Sequence, residues 1–278
     1  MPGPPANNAT EQELYTQMSM ALNRTGRPVL FSLCQWGEDD VWKWGGGISQ
    51  MFRIQMDHLP FWSLPTKAAG AGFGQGTKDI IEYMATLRPS TISGAYSHPD
   101  PDFLMTLYRP TMDFTASRTE FSFWCMWSSP LLVSTDLRNL TAQKRSILMN
   151  YEAIAINQDP GFGAADRVTN QSNGAQVWSR RLHNGDTAVL LYNAHSLLPA
   201  IVVASFAELG LPANTRVQVR DIWGETDLRP VVNSVSATVP PRDVRWYRLS
   251  SVAAEVHVAR TEASRQHKTD DYSSVVCA

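Results

Sequence analysis

An arginine and an aspartate four residues apart are the first candidates for chemistry, in the segment RIQMD from Arg53 to Asp57. An aspartate at the end of a barrel strand faces the catalytic mouth, because the active sites of parallel β/α barrels lie at the C-terminal ends of their strands. A neighbouring arginine can order that carboxylate and hold a substrate hydroxyl. The alternative is an ordinary ion pair on the protein surface, which the spacing by itself favours.

The segment SHPDPD, residues 97–102, places two carboxylates on either side of a proline. Asp100 and Asp102 could bind a metal ion, bind a sugar or shape a turn. A metal site needs more ligands, and the six histidines show neither an i,i+4 pair nor a cysteine partner. We therefore expect no metal ion and no other cofactor.

Two further enzyme classes find no support in the motifs. The glycine-rich segment 70–76 lacks the spacing of a dinucleotide-binding loop and follows no strand, so we interpret it as a loop ahead of a helix at Thr77. A G-x-S-x-G nucleophile elbow is absent, which argues against a serine hydrolase of that type.

Composition restricts the partners and the location. A net charge of −2 gives no reason to expect nucleic acid or an anionic membrane as a partner. The nine tryptophans suit either sugar-stacking walls or a large core, and the three cysteines show no disulfide framework.

We expect no signal peptide in residues 1–14 and no membrane-spanning run. Four N-x-S/T sequons are compatible with secretion: Asn8, Asn23, Asn139 and Asn170.

Helices alternate with short apolar runs in the first 163 residues. The apolar runs 29–33 and 131–133 predict strands buried on both faces of a parallel sheet. Alternating elements of this kind favour a β/α fold. Helix starts are predicted at Thr10 (a capping box with Glu13), at Thr77, at Ser117 (a capping box with Glu120) and at Thr141.

The pattern changes after Gly163 to short alternating strands. Residues 176–182 and 187–193 flank the turn sequence HNGD, which predicts a hairpin, and strands follow at 217–223, 235–239 and 244–249. The sequence therefore predicts a partial β/α domain over 1–163, an antiparallel β-sandwich over 164–250 and a polar, poorly ordered tail over 251–278.

Four stretches of this sequence resemble glycoside hydrolase family 27, the α-galactosidases, and are most similar to the fungal type. In that type a Leu-Cys-x-Trp-Gly run follows one barrel strand and an Arg-x-x-x-Asp motif follows the next, as in residues 26–57 here. The other stretches are residues 100–124, 128–160 and 174–193.

This resemblance implies a fold and a set of roles. The fold would be α/β, the C-terminal half of a TIM (β/α)8 barrel followed by an antiparallel β-sandwich. The substrate would be a terminal α-linked galactoside, cleaved with retention by two aspartates without a metal ion. Asp57 would be the general acid/base and Arg53 would help to bind the sugar. Asp102 and Phe103 would line the galactose pocket, and the loop with Gln35 and Trp36 would read the 2-position of the sugar.

Two departures from the family pattern shape the hypothesis. The Lys-x-Asp-x-Cys motif that carries the family's nucleophile is expected just before Thr10 and is not there. We therefore expect a truncated or remnant form of an enzyme that, at full length, is secreted, lysosomal or vacuolar. Gln35 replaces the Glu of many members, although its bulk favours galactose over N-acetylgalactosamine, which carries a larger group at the 2-position.

Two alternative functions and one assembly state stay open. An α-N-acetylgalactosaminidase of the same family is the first alternative. The second is a non-catalytic galactoside-binding protein that uses Trp36, Trp42 and the β domain. Homo-oligomers are compatible with each of these interpretations.

Overall fold

The computed structural model describes residues 9–64 and 74–251. The helix starts at Thr10 and Thr141 are confirmed: the Thr10 hydroxyl and the Glu13 carboxylate form a reciprocal capping box, and Thr141 caps the fourth helix. The second helix is confirmed, but the prediction that Thr77 caps it is wrong by one residue: Gly76 is the cap and Thr77 is the first helical residue. The helices in the described part of the chain are α1 Glu11–Arg24, α2 Thr77–Leu87, α3 Phe114–Met126, α4 Ala142–Leu148 and α5 Tyr151–Asn157.

The predicted capping box of Ser117 and Glu120 is wrong. Helix α3 begins one turn earlier, because the carboxylate of Asp113 accepts the Ala116 N–H and caps the helix there. Ser117 and Glu120 consequently lie inside α3, where both are buried. Their side chains instead accept hydrogen bonds from the loop between residues 104 and 107.

A three-stranded parallel sheet confirms the predicted β/α pattern of the first part. Its strands are β1 Ser32–Leu33, β2 Met51–Arg53 and β3 His98–Asp100, in the order β1-β2-β3. Since successive side chains on a strand point to opposite faces, the two faces of this sheet differ. Leu33, Phe52 and Ile54 are buried in the core on the helix-covered face.

The prediction that runs 29–33 and 131–133 are strands buried on both faces is wrong. Leu30 is 69% exposed, because it precedes β1, an edge strand that pairs with β2 on one side and has no described strand on the other. Residues 131–133 form only an isolated parallel bridge, from Val133 to Leu104, and Leu132 is 41% exposed. Leu30 and Leu132, one from each run, both line a cleft on the sheet face opposite Leu33 and Phe52.

Two antiparallel sheets form the second part and enclose a core of their own. The predicted hairpin is confirmed, since β5 and β6 pair in register across the turn at 182–186. The strands are β4 Asp166–Asn170, β5 Ala175–Arg181, β6 Thr187–Asn193, β7 Ala200–Ser205, β8 Arg216–Asp221, β9 Thr226–Val232, β10 Ser234–Val239 and β11 Val244–Ser251. Their order is β4-β5-β6-β11-β8-β9 in one sheet and β10-β7 in the other.

Aromatic side chains join the two parts. Phe123 on α3 meets Trp178 on β5 and Tyr192 on β6 edge to face, with ring centroids 5.2 and 5.1 Å apart. Trp124, Trp127, Trp178 and Trp246 are fully buried, so these four tryptophans are core residues. The glycine-rich segment up to Phe73 and the tail after Ser251 lie outside the described residues. Within the described ranges, every helix is too short or too polar to cross a membrane.

Candidate active site

One buried guanidinium connects the two acidic motifs. Arg53 is the last residue of β2, and its Nη2 lies 3.1 Å from Asp57 Oδ1 and 2.9 Å from Asp102 Oδ2. The Arg53 side chain is only 9% exposed, whereas that of Asp57 is 53% exposed. The alternative of an ordinary surface ion pair is therefore ruled out for Arg53, and Asp57 presents a free carboxylate edge to solvent.

The Asp102 carboxylate is held by donors on both oxygens. Oδ2 accepts the His58 backbone N–H at 2.9 Å in addition to Arg53, and Oδ1 accepts the Phe103 N–H at 2.7 Å. Asp102 adopts a left-handed backbone conformation with φ 81°, which its own N–H stabilises by donating to Asp100 Oδ1 at 2.8 Å. Charge-assisted bonds of this kind fix the orientation of the carboxylate.

Two more ionisable groups border the same place. Asp100 ends β3 and is buried, and this burial raises its pKa to about 6 despite the nearby Arg53. The Cys34 thiol lies 4.0 Å from Arg53 Nη1, and its pKa is raised by burial. Asp100 thus carries a proton at mildly acidic pH, when an ordinary aspartate would not.

These side chains share a cleft of about 710 Å³ on the sheet face opposite the buried Phe52 and Ile54. Asp57, Arg53, Asp102 and Phe103, all predicted as site residues, line it. Phe103 is 46% exposed and supplies an apolar wall. The structure therefore brings together four of the six predicted residues from two sequence segments that are 45 or more positions apart, counted from Asp57 to Asp102.

Gln35 and Trp36 are not among the residues that line this cleft. Gln35 is buried, and its side-chain amide donates to the Glu11 carboxylate on α1. Cys34, one residue earlier, lines the cleft instead. The loop turns away at Gly37, whose φ of 83° and close approach to the Ile54 carbonyl leave no room for a Cβ.

Sequence reasoning missed two buried residues beneath the site. His58 directly follows Asp57 but belongs to no motif, and the sequence pattern predicts Glu120 as a helix-capping residue, although Asp113 begins that helix one turn earlier. Both are fully shielded, with His58 Nδ1 3.8 Å from Glu120 Oε1. Within residues 9–64 and 74–251, no three His, Cys, Asp or Glu side chains are grouped as a metal site would require.

Carboxylates at the C-terminal ends of parallel strands lie where β/α enzymes have their active sites, and carboxylates are the groups that glycoside hydrolases use for catalysis. The profile described as alpha galactosidase A matches residues 5–159, and that of the alpha galactosidase C-terminal beta sandwich domain matches residues 172–249. The chain belongs to the α-galactosidase family, glycoside hydrolase family 27.

Individual relatives agree with this membership. An α-galactosidase of Oryza sativa subsp. japonica is 30% identical over 86% of this chain, and α-galactosidase 3 of Arabidopsis thaliana is 34% identical over 86%. The crystal structure of α-galactosidase I from Mortierella vinacea superimposes with a TM-score of 0.80 at 30% identity, covering 86% of this chain and 62% of that one. The chain spans about half the length of the two plant enzymes, 53% and 52%.

Proposed function

We propose that this chain carries the proton-transferring part of a retaining glycosidase site that releases terminal α-linked galactose. The observation that supports it most is the Arg53 guanidinium, which holds Asp57 and Asp102 through one nitrogen inside the cleft. The relatives in rice and Arabidopsis are named α-galactosidases, which supports galactose as the sugar.

Each cleft residue has a role in this proposal. Asp57 protonates the departing glycosidic oxygen and later activates water, for which its exposed carboxylate edge is suited. Arg53 and Asp102 bind sugar hydroxyls, because both keep hydrogen-bonding capacity after their mutual contact. Phe103 covers the apolar face of the sugar ring. Gln35 and Trp36 stay predicted contacts of the sugar's 2-position, although in this chain only Cys34 of their loop lines the cleft.

Retention requires a second carboxyl group about 5–5.5 Å from the first, which attacks the anomeric carbon. We assign that nucleophile to a segment equivalent to the part of the relatives that this chain does not match. The reason is that the family's Lys-x-Asp-x-Cys motif, which carries the nucleophile, has no counterpart in the residues before Thr10. The same segment would complete a TIM barrel of which this chain forms the C-terminal half. The exposed Leu30 and Leu132, which line the cleft, support this arrangement. The chain alone would then bind galactosides without cleaving them.

A chimera tests the proposal. The segment of the Mortierella vinacea enzyme that precedes its matched region is fused in front of Thr10, and hydrolysis of p-nitrophenyl α-D-galactopyranoside is measured. We expect the chimera to be active and its Asp57→Asn variant to lose about 100-fold or more in kcat, the usual contribution of a general acid. Asp40→Asn, an exposed aspartate outside the cleft, is the matched control and should leave kcat unchanged.

The other outcomes distinguish the alternatives. An Asp57→Asn chimera as fast as its parent would overturn the role of Asp57. Preferential cleavage of the α-N-acetylgalactosaminide would identify N-acetylgalactosamine, not galactose, as the sugar. An inactive chimera, together with galactose binding by the 278-residue chain, would favour the non-catalytic binding protein.

A further inference from the structure

His58 directly follows the half-exposed Asp57, yet its own side chain is buried. The imidazole packs against the indole of Trp124, with ring centroids 5.4 Å apart. A histidine beside a proposed proton donor is an obvious candidate for proton transfer. Here, however, both of its nitrogens are already engaged with other groups of the protein.

The two ring nitrogens define a single tautomer. Nδ1 lies 2.8 Å from the Phe103 carbonyl oxygen and must donate to it, because a carbonyl only accepts. Nε2 lies 3.1 Å from Thr77 Oγ1 and accepts from that hydroxyl. Burial lowers the pKa of His58 to about 4, so the ring is neutral at mildly acidic pH. The charged or ionisable groups nearby are Asp102, Arg53 and Glu120.

The backbone of the same residue adds a third connection. The His58 N–H donates to Asp102 Oδ2 at 2.9 Å. One residue thus ties the segment after β2, which carries Asp57, to the loop after β3, which carries Asp102 and Phe103. Through Thr77 it also ties both to the first turn of α2.

The loop after β3 depends on such side-chain bonds. Its residues 102 and 107 both have left-handed backbone angles, φ 81° and 53°, which are unfavourable for residues other than glycine. On the α3 side the Trp124 indole donates to the Asp102 carbonyl, and a Glu120 carboxyl oxygen accepts the Met105 N–H. On the β2 side, the Phe103 carbonyl receives its bond from His58.

We propose that His58 is a positioning residue of the galactose pocket, which sets the place of Asp102 and Phe103 relative to Asp57. The inference rests on the proposed function, since it assumes that these residues bind the sugar. It assigns to His58 no proton transfer and no contact with substrate. A pocket wall displaced by about 1 Å is enough to weaken binding and catalysis substantially.

Three substitutions separate the bonds of the ring. His58→Asn places an amide nitrogen where Nδ1 stands and keeps a donor for Phe103, His58→Gln reaches toward Thr77 instead, and His58→Leu keeps neither. Binding of D-galactose to the 278-residue chain is titrated calorimetrically, and the folded fraction is measured by circular dichroism. His183→Asn, on the exposed turn of the β5–β6 hairpin, is the matched control.

We expect His58→Asn and His183→Asn to bind galactose within about threefold of the wild type. His58→Gln and His58→Leu should raise Kd about tenfold, the equivalent of one lost hydrogen bond, in protein that is still folded. A purely structural role would lower the folded fraction and leave Kd unchanged.

Each result bears on the proposal. Equal Kd values for His58→Asn and His58→Gln overturn it, and this comparison decides the matter even if His58→Leu does not fold. No binding by the wild type overturns the galactose assignment and this inference together, whereas binding with no difference among the variants overturns the inference alone.

Discussion

Arg53 and Asp102 form an ion pair that is almost completely shielded from solvent, with Nη2 2.9 Å from Oδ2 and side chains 9% and 11% exposed. The pair connects the end of β2 to the loop after β3. Because the same nitrogen also reaches Asp57, this one contact places both proposed site carboxylates. The geometry of the site is therefore coupled to the stability of the sheet.

Replacing Arg53 by Met should lower the free energy of unfolding by about 3 kcal/mol, because it leaves the buried Asp102 carboxylate without its cation. Urea unfolding followed by circular dichroism measures the change. Lys43→Met, which breaks the exposed Lys43–Asp40 pair, is the control and should produce no measurable loss. Equal effects of the two substitutions would contradict a special role for the buried pair.

The raised pKa of the buried Glu120 carboxyl predicts that the free energy of unfolding falls as pH rises. Full burial raises its pKa to about 8, so the folded protein keeps a proton that the unfolded chain has already released. The free energy of unfolding must then fall as pH rises from about 4.5 to 8 and level off above that range.

The window from pH 6.5 to 8 isolates this effect. The lowered pKa of His58, about 4, makes the free energy of unfolding rise with pH, but only up to the ordinary histidine pKa of 6.5. The raised pKa of Asp100, about 6, makes the free energy of unfolding fall with pH, but only up to about pH 6. Between 6.5 and 8 the wild type should lose up to about 1.4 kcal/mol per pH unit relative to Glu120→Gln. Parallel profiles of the two proteins in that window would show that Glu120 is ionised in the fold.

The aromatic contact between the two parts predicts shared stability. Phe123→Ala should lower the free energy of unfolding by about 3–5 kcal/mol, because it empties a buried site between Trp178 and Tyr192. Differential scanning calorimetry should show both parts shifted to lower temperature. Tyr151→Ala, at a tyrosine 74% exposed, is the control. A shift confined to one part would mean that α3 does not couple them.

The turn that follows Cys34 and Trp36 requires a glycine at position 37. Gly37→Ala should destabilise the protein by at least about 1 kcal/mol, because an alanine is strained at φ 83° and its Cβ would overlap the Ile54 carbonyl. Gly47→Ala is the matched control, since a Cβ there meets no atom within 4 Å. Thermal unfolding of both variants gives the comparison, and similar midpoints would refute the strain argument.

Local chemistry determined much of this protein from sequence alone. Thr10 and Thr141 carry the side-chain oxygens that cap helices, and the turn HNGD between two alternating runs specifies a hairpin, so these elements were predicted correctly. The resemblance over residues 26–57 and 100–124 identified the family and four residues that meet in the cleft. Patterns of this kind act within a few residues, which is why a single sequence displays them.

Tertiary structure decided what those patterns leave open. Whether the run 29–33 is buried depends on which strands flank it, and whether Glu120 caps a helix depends on Asp113 beginning that helix first. His58 gains its place from Phe103 and Thr77, which lie 45 and 19 positions away. Contacts over such separations arise only when the chain folds, because the bonding partners of a buried polar group are chosen by the whole core.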